Sequence, residues 1–466
     1  MLTNASQTFN FISICQPTMK PTLRPLQIVL ILSSILIGCG AEQAAPKVKV
    51  VERLNAAPAT QAAFQPSKAI WPQWRGPTRD ASVKADRPWP DSLGGLRQLW
   101  HVDLGDGYSG PIVGEDKVFT FESTKGKEIV RALDRATGRE IWTNIWEGSM
   151  SVPFFAGRNG SWVRSTPAYD GQSLFVCGMR DVMACIDVRT GKDRWRVDFV
   201  ERYKTPVPSF GFVCSPLVTA DAVYVQAGSS FVRLNKSTGA EVWRTLADKG
   251  GMNGSAFSSP APATFGGREQ LLVQTRKDLA GVDPTTGKVL WSKPIPAMQG
   301  MNILTPIAFA DGVFTAAYGG SAGFFRVEGA GDSYKVDESW KLSIQGYMST
   351  PVVINGFVYL QRRDQKLSCI DLGTGHETWT ALPKWGEYAS LVTDGRNILA
   401  LAQTGELILV RHNPAIYEVL DRRKISEQET WAHVAVCGRE IYVREQRGLT
   451  VFSWDESATK TISPGE

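Results

Sequence analysis

Asp or Asn, two residues, Thr-Gly, three residues, Trp: this string occurs five times in the chain. The copies are Asp134-Thr137-Gly138-Trp142, Asp187-Thr190-Gly191-Trp195, Asn235-Thr238-Gly239-Trp243, Asp283-Thr286-Gly287-Trp291 and Asp371-Thr374-Gly375-Trp379. A recurring motif marks an array of supersecondary units, none of which can bury its apolar face alone. Two short β-rich runs precede each copy, such as Ser349 to Val353 and Val358 to Leu360. A strand ending in the Asp follows, such as Leu367 to Asp371, and then a strand carrying the Trp. Four short strands with turn signals between them are one antiparallel blade of a β-propeller. The Asx side chain bonds its own backbone two residues on, and Gly supplies the positive φ of a tight reversal. The Trp falls on the outermost strand, where a large flat ring fills the gap between blades. Trp195, Trp243 and Trp291 are therefore expected to be mostly buried.

Weaker copies complete the array. Asp332 and Trp340 keep the eight-residue offset without Thr-Gly, and His412 and Leu420 keep the offset with Leu in the Trp place. Inner strands start at Gly110-Pro111, Thr166-Pro167, Ser215-Pro216, Ser259-Pro260, Thr305-Pro306 and Thr350-Pro351, with weaker starts near Ser390 and Val434. These starts predict an all-β fold: an eight-bladed propeller of four-stranded antiparallel blades, spanning residues 97–456. The last strand, Val451 to Trp454, is the third of blade eight. Gln98 to Leu104 is expected to supply the fourth and close the ring, removing sheet edges open to other chains.

The N-terminus carries an address. Lys20 and Arg24 precede the apolar run Ile28 to Ile37, which ends in Leu36-Ile37-Gly38-Cys39. That is a secretory signal over residues 1–38, too short an apolar run to span a bilayer comfortably. Residues 39–70, rich in Ala, Pro and Gln, are expected to form a flexible tether reaching roughly 30 Å. A lead-in over 71–96 and a tail over 457–466 complete the division. Removing residues 1–38 takes Lys20 and Arg24 with it and lowers the formal charge from +5 to +3. Nothing in that balance suggests nucleic acid, and Arg362-Arg363 and Arg422-Arg423-Lys424 are local clusters at strand ends. Five cysteines follow Cys39, an odd number that cannot form a closed disulfide set. Cys177 and Cys185 fall on adjacent strands of one hairpin, where a disulfide and two packed thiols both fit.

The Asp-x-x-Thr-Gly-x-x-x-Trp string resembles the repeat of the pyrroloquinoline quinone (PQQ) propeller family. Leu36 to Cys39 resembles a bacterial lipobox, which implies acylation of Cys39. Gly40 in place of Asp then implies the outer membrane, facing the periplasm. Trp71-Pro72-Gln73-Trp74-Arg75-Gly76-Pro77 resembles a lead-in found ahead of other propellers of this type. The family holds quinoprotein dehydrogenases and non-enzymatic propellers, the latter including lipoproteins of the outer-membrane assembly (BamB-like) type.

A quinoprotein dehydrogenase needs a quinone held between a Trp floor and, in many members, a ring of adjacent cysteines. It also needs Ca²⁺ on hard oxygen ligands and a carboxylate base. This chain has no Cys-Cys pair and no cluster resembling those ligands. Its four histidines show no metal-ligand spacing. The expectation is a lipid-anchored, non-catalytic scaffold that binds envelope proteins, possible outer-membrane assembly factors among them, with no cofactor and no metal. A periplasmic PQQ-dependent oxidoreductase, with PQQ and Ca²⁺, is the enzymatic alternative, and a sugar- or peptide-binding propeller is the third. The long connections from outer to inner strands, roughly 147–163, 200–212, 247–256 and 294–303, open on one face. They carry Met150, Phe154, Phe155, Trp162, Phe210, Phe212, Met252, Met298 and Met301, and later blades add Tyr347, Trp385 and Trp431. These residues either bind partners or plug the narrow end of the ring. Arg164, Asn253, Asn302, Glu387 and His433 are the candidates for a polar axial funnel.

Overall fold

The computed structural model describes residues 66–84, 87–254 and 257–454. The signal segment, Cys39 and most of the tether lie outside the described residues, as does the tail. The described strands form eight four-stranded antiparallel sheets. Blade one comprises Ile112–Val113, Lys117–Thr124, Lys127–Asp134 and Glu140–Glu147, from inner to outer strand, and blades two to seven follow the same order. Blade eight joins the two ends of the ring: Leu96–Asp103 pairs antiparallel with Gly448–Trp454. Closure by the N-terminal strand is as expected.

The motif's geometry shows why it repeats. In blade two, Asp187 Oδ1 accepts from the backbone N–H groups of Arg189 and Thr190, both at 3.0 Å, and from the Thr190 hydroxyl at 3.2 Å. Gly191 turns the chain at φ +72°. A bulge follows, and Trp195 lands opposite Cys185. The Trp does not act on its own turn. Trp142 of blade one lies flat on Gly191 of blade two, where a Cβ would come within 2.7 Å of the indole. Its Nε1–H donates to the Val188 carbonyl at 2.9 Å, the residue after the motif Asp. Trp195 does the same to Lys236 at 2.9 Å, Trp243 to Pro284 at 3.2 Å and Trp340 to Leu372 at 2.8 Å. Trp100, on the N-terminal strand, carries the pattern across the closure onto Arg135 at 3.0 Å and Gly138. Trp195 and Trp243 are half-buried wedges, and only Trp291 of the three is buried.

Two weak copies are corrected. In blade five the residue opposite Trp340 is Phe324, so Arg326 stands where other blades place the Asp. The hairpin runs on through Ala322–Ala330 and Ser333–Leu342, and Asp332 lies at its tip. The eight-residue offset there is coincidental. Trp291 consequently has no turn to dock on. It donates instead to Gln270 Oε1 of its own blade at 2.7 Å and covers Gly281. In blade seven the residue opposite Leu409 is Asp421, so Asp421 and not Leu420 holds the Trp place.

That replacement seats the lead-in. Asp421 Oδ2 accepts from the Ser92 hydroxyl at 2.8 Å and the Leu93 N–H at 2.7 Å. Arg423 donates to the carbonyls of Leu93 and Leu96. Trp454 Nε1 donates to the Ser92 carbonyl at 2.8 Å, and the buried Trp89 ring lies 5.9 Å from it. Further upstream the lead-in crosses the ring. Trp71 pairs with Val113 of blade one, and the Pro72 carbonyl accepts from Tyr169 of blade two. Arg79 reaches the carbonyls of Ser215 and Pro216, and Arg75 those of Thr350 and Pro351. All five described cysteines are free and buried; Cys177 faces Met183 across its hairpin, so it does not pair with Cys185.

Trp100→Ala removes the wedge at the closure and is expected to cost about 3 kcal/mol, the lower end for a buried aromatic, read by urea unfolding; a near-neutral result would contradict its role. Acid acts on the turn carboxylates. The Thr137 hydroxyl holds Asp134 below the usual carboxylate range, and Arg194 with the turn backbone holds Asp187 at about 2. Depressed folded-state values contribute stability above the unfolded value, about 4, that is lost as pH falls toward the folded value. The melting temperature is expected to fall between about pH 4 and about pH 2, and Asp187→Asn, which mimics Asn235, should blunt that fall.

Candidate functional site

The inner-strand starts meet at the axis as a hydrogen-bonded belt. Gly110 N–H donates to Thr166 Oγ1 at 3.0 Å, Thr166 to Ser215 at 3.0 Å, Ser215 to Ser259 at 2.9 Å, Ser259 to Thr305 at 3.1 Å and Thr305 to Thr350 at 3.2 Å. Each bond joins one blade to the next. The belt explains the Ser/Thr at these starts: the hydroxyl satisfies a neighbour's buried N–H. In blade eight the belt position is His433, aligned with Thr166 by the strand registers of their blades.

Two residues upstream in each blade stands a second ring: Tyr108, Arg164, Val213, Phe257, Ile303, Met348, Tyr388 and Trp431. All of them, with belt residues and Trp74 of the lead-in, line a cavity of about 140 Å³. Trp74 is its floor, backed by Arg75 and Arg79 with guanidinium carbons 5.5 and 5.8 Å from the indole centre. Trp431 packs against Tyr108 at 5.6 Å and Tyr388 at 5.8 Å. His433 stacks on Trp71 at 6.3 Å and meets Trp74 edge-on at 6.0 Å. Burial, with the charge of Arg75, pushes His433 down to about 3. Its Nδ1–H donates to the Val434 carbonyl, so Nε2 is a lone-pair acceptor; it is buried and meets no protein partner. Burial lowers Arg164 to about 10, which leaves it cationic at neutral pH.

Of the expected funnel residues, Arg164 and His433 reach the cavity. Asn302 does not: it is buried, donating to the carbonyls of Ile295 and Arg276. Glu387 is half-buried and faces Arg158 at 3.5 Å. Asn253 ends the short turn Gly251–Asn253, and its side chain lies outside the described part. Of the expected binding face, Phe212 (0 % exposed) and Trp385 (2 %) are core residues and cannot be contact residues. Trp162, Met301 and Tyr347 are half-buried, and Trp431 belongs to the cavity wall. Phe155 (62 %) and Met252 (41 %) are exposed, as are Phe154 (94 %) and Met298 (42 %). Phe155, Phe210 and Phe257 form a chain of ring contacts, at 6.2 and 5.6 Å, from the outer loops to the cavity. Sequence reasoning missed Trp74, Tyr108, Phe257, Ile303, Met348 and Tyr388. For all of these but Trp74, which stands in the lead-in, the signal was a constant offset of two from the inner-strand starts.

The profile of the family described as outer membrane protein assembly factor BamB matches residues 126–381. The chain belongs to this family. It is similar to the outer membrane protein assembly factor BamB of Yersinia pestis, with 23 % identity over 316 residues, 64 % of this chain and 75 % of that protein. The protein of the same description from Shewanella oneidensis is 24 % identical over 284 residues, 59 % of this chain and 64 % of its own length. Among solved structures, BamB from Moraxella catarrhalis superposes with a TM-score of 0.56 at 17 % identity, covering 78 % of this chain and 98 % of that one. That likeness shows the fold.

The cavity does not fit a calcium-bound quinone. Ca²⁺ needs several hard oxygen ligands, carboxylates among them, and none of the residues lining the cavity is Asp or Glu. Its walls carry a cation instead. Addition of PQQ with Ca²⁺ is therefore expected to leave the melting temperature unchanged, since a ligand stabilises only a state that binds it; a concentration-dependent rise would show that the pair is held.

Proposed function

We propose that this chain is a non-catalytic propeller scaffold of the cell envelope, acting in outer-membrane protein assembly by binding protein partners. Membership of the outer membrane protein assembly factor BamB family supports the role. The observation that carries the binding mode is the exposed apolar rim at Phe154, Phe155, Met252 and Met298. Large apolar side chains left in water on loops over a rigid ring suit partner docking. The partners are envelope proteins, outer-membrane assembly factors among them. Acylation at Cys39 would hold the ring at the outer membrane facing the periplasm, since two or more acyl chains give stable attachment.

One fractionation experiment tests both parts. Native protein is expected in the membrane fraction, bringing partners down from a detergent extract of the envelope. Phe154→Asp with Phe155→Asp should lose those partners without a change in melting temperature, because both rings are already exposed. Cys39→Ser should move the protein to the soluble fraction. Retained partners in the double variant would remove the rim from the mechanism, and a soluble native protein would remove the anchor.

A further inference from the structure

We propose that the axial cavity binds a small aromatic acid: one ring bearing a carboxylate and a hydroxyl donor. The inference is independent of the scaffold role. It rests on what the two rings of side chains present to the space between them.

Charge comes first. Arg164 is a cation in the wall, Arg75 and Arg79 stand behind the floor, and no residue lining the cavity is acidic. A cation lining this space favours an anion there, and the Arg164 guanidinium, which also donates to the Gly160 carbonyl, suits the planar fork of a carboxylate. Shape comes second. Trp74, Trp431, Tyr108, Tyr388 and Phe257 surround the space with aromatic faces and edges, which suit a flat ring. Volume comes third: about 140 Å³ is close to a cavity of about 150 Å³ known to admit benzene. The last feature is His433. It replaces a hydroxyl in the belt, and its Nδ1–H is already committed to the Val434 carbonyl. Its Nε2 lone pair is buried without a protein donor, in a residue that lines the cavity. A buried acceptor left unmet is costly, and a ligand hydroxyl would meet it.

The probes are 4-hydroxybenzoate, benzoate, phenol and PQQ, titrated into the full-length protein by calorimetry and by quenching of Trp fluorescence. The hydroxy acid is expected to bind at one site, with benzoate and phenol each weaker by about tenfold, the worth of one charge-assisted or buried hydrogen bond. Arg164→Gln should remove the preference for the acid over phenol. His433→Phe should remove the preference for the hydroxy acid over benzoate, with melting curves confirming that it folds. If that variant does not fold, Arg164→Gln decides the matter, since Arg164 stands on a connection and not in the belt. No saturable binding in the millimolar range, affinities unmoved by Arg164→Gln, or tighter binding of the three-ring quinone would each overturn the proposal.

Discussion

The ring stands on one contact: an indole laid on the glycine of the next blade's turn, with its Nε1–H on the carbonyl beside it. The turn must be tight enough to present both. The Asx side chain folds it, and the glycine both allows the positive φ and clears room for the ring, since a Cβ at Gly191 would lie within 2.7 Å of Trp142. Each motif is thus half of a joint: its turn receives the Trp before it, and its Trp serves the turn after it. A single blade has no use for either half. That is why the motif repeats and why closure by Trp100 matters, because an open ring would leave one turn without its Trp.

The two broken joints confirm the logic. Blade five lacks the turn, so Trp291 folds back over Gly281 of its own blade. The long hairpin instead reaches back toward blade four, where Arg268 and Lys288 meet Asp332. Blade seven lacks the Trp, so the lead-in fills the seam. Asp421 takes a hydroxyl and an N–H from it, and Trp89 supplies an indole to the same cluster as Leu420. Loss of a wedge and gain of a strap at one seam are two sides of one event. The lead-in is seated where the ring would otherwise be open.

The repeat was legible because its residues answer a local demand. Asp, Gly and Trp are recognisable types at fixed spacing, and the missing fourth strand of blade eight could be found at the other end of the chain. The site was less legible, for a reason of register. The chain enters each inner strand extended, so alternate residues face opposite sides. Phe212, Asn302, Tyr347 and Glu387 all stand three residues before the belt and point off the axis; Val213, Ile303, Met348 and Tyr388 stand two before it and point in. An error of one residue, invisible to composition, exchanges wall for core. Asp332 and Leu420 failed in the same way: an offset counted along the chain does not survive a hairpin lengthened at its tip.

The two axial rings divide labour. The belt at the strand starts is fixed by its bonds, since each hydroxyl satisfies a neighbour's N–H and cannot be exchanged for an apolar group without orphaning a buried donor. The ring two residues above it carries no such duty. Its members are held in place by the belt yet free to differ in chemistry, and here they comprise aromatics, apolar side chains and one arginine. Function in such a ring is therefore written where the backbone is already satisfied. His433 is the exception that crosses from one ring's duty to the other's: it occupies a belt position, bonds the backbone through Nδ1, and lines the cavity with its Nε2 buried and unmet by protein. A hydroxyl there would have been enough for the fold. The imidazole does more than the belt requires: it also stacks on Trp71 and meets Trp74, the floor of the cavity, edge-on.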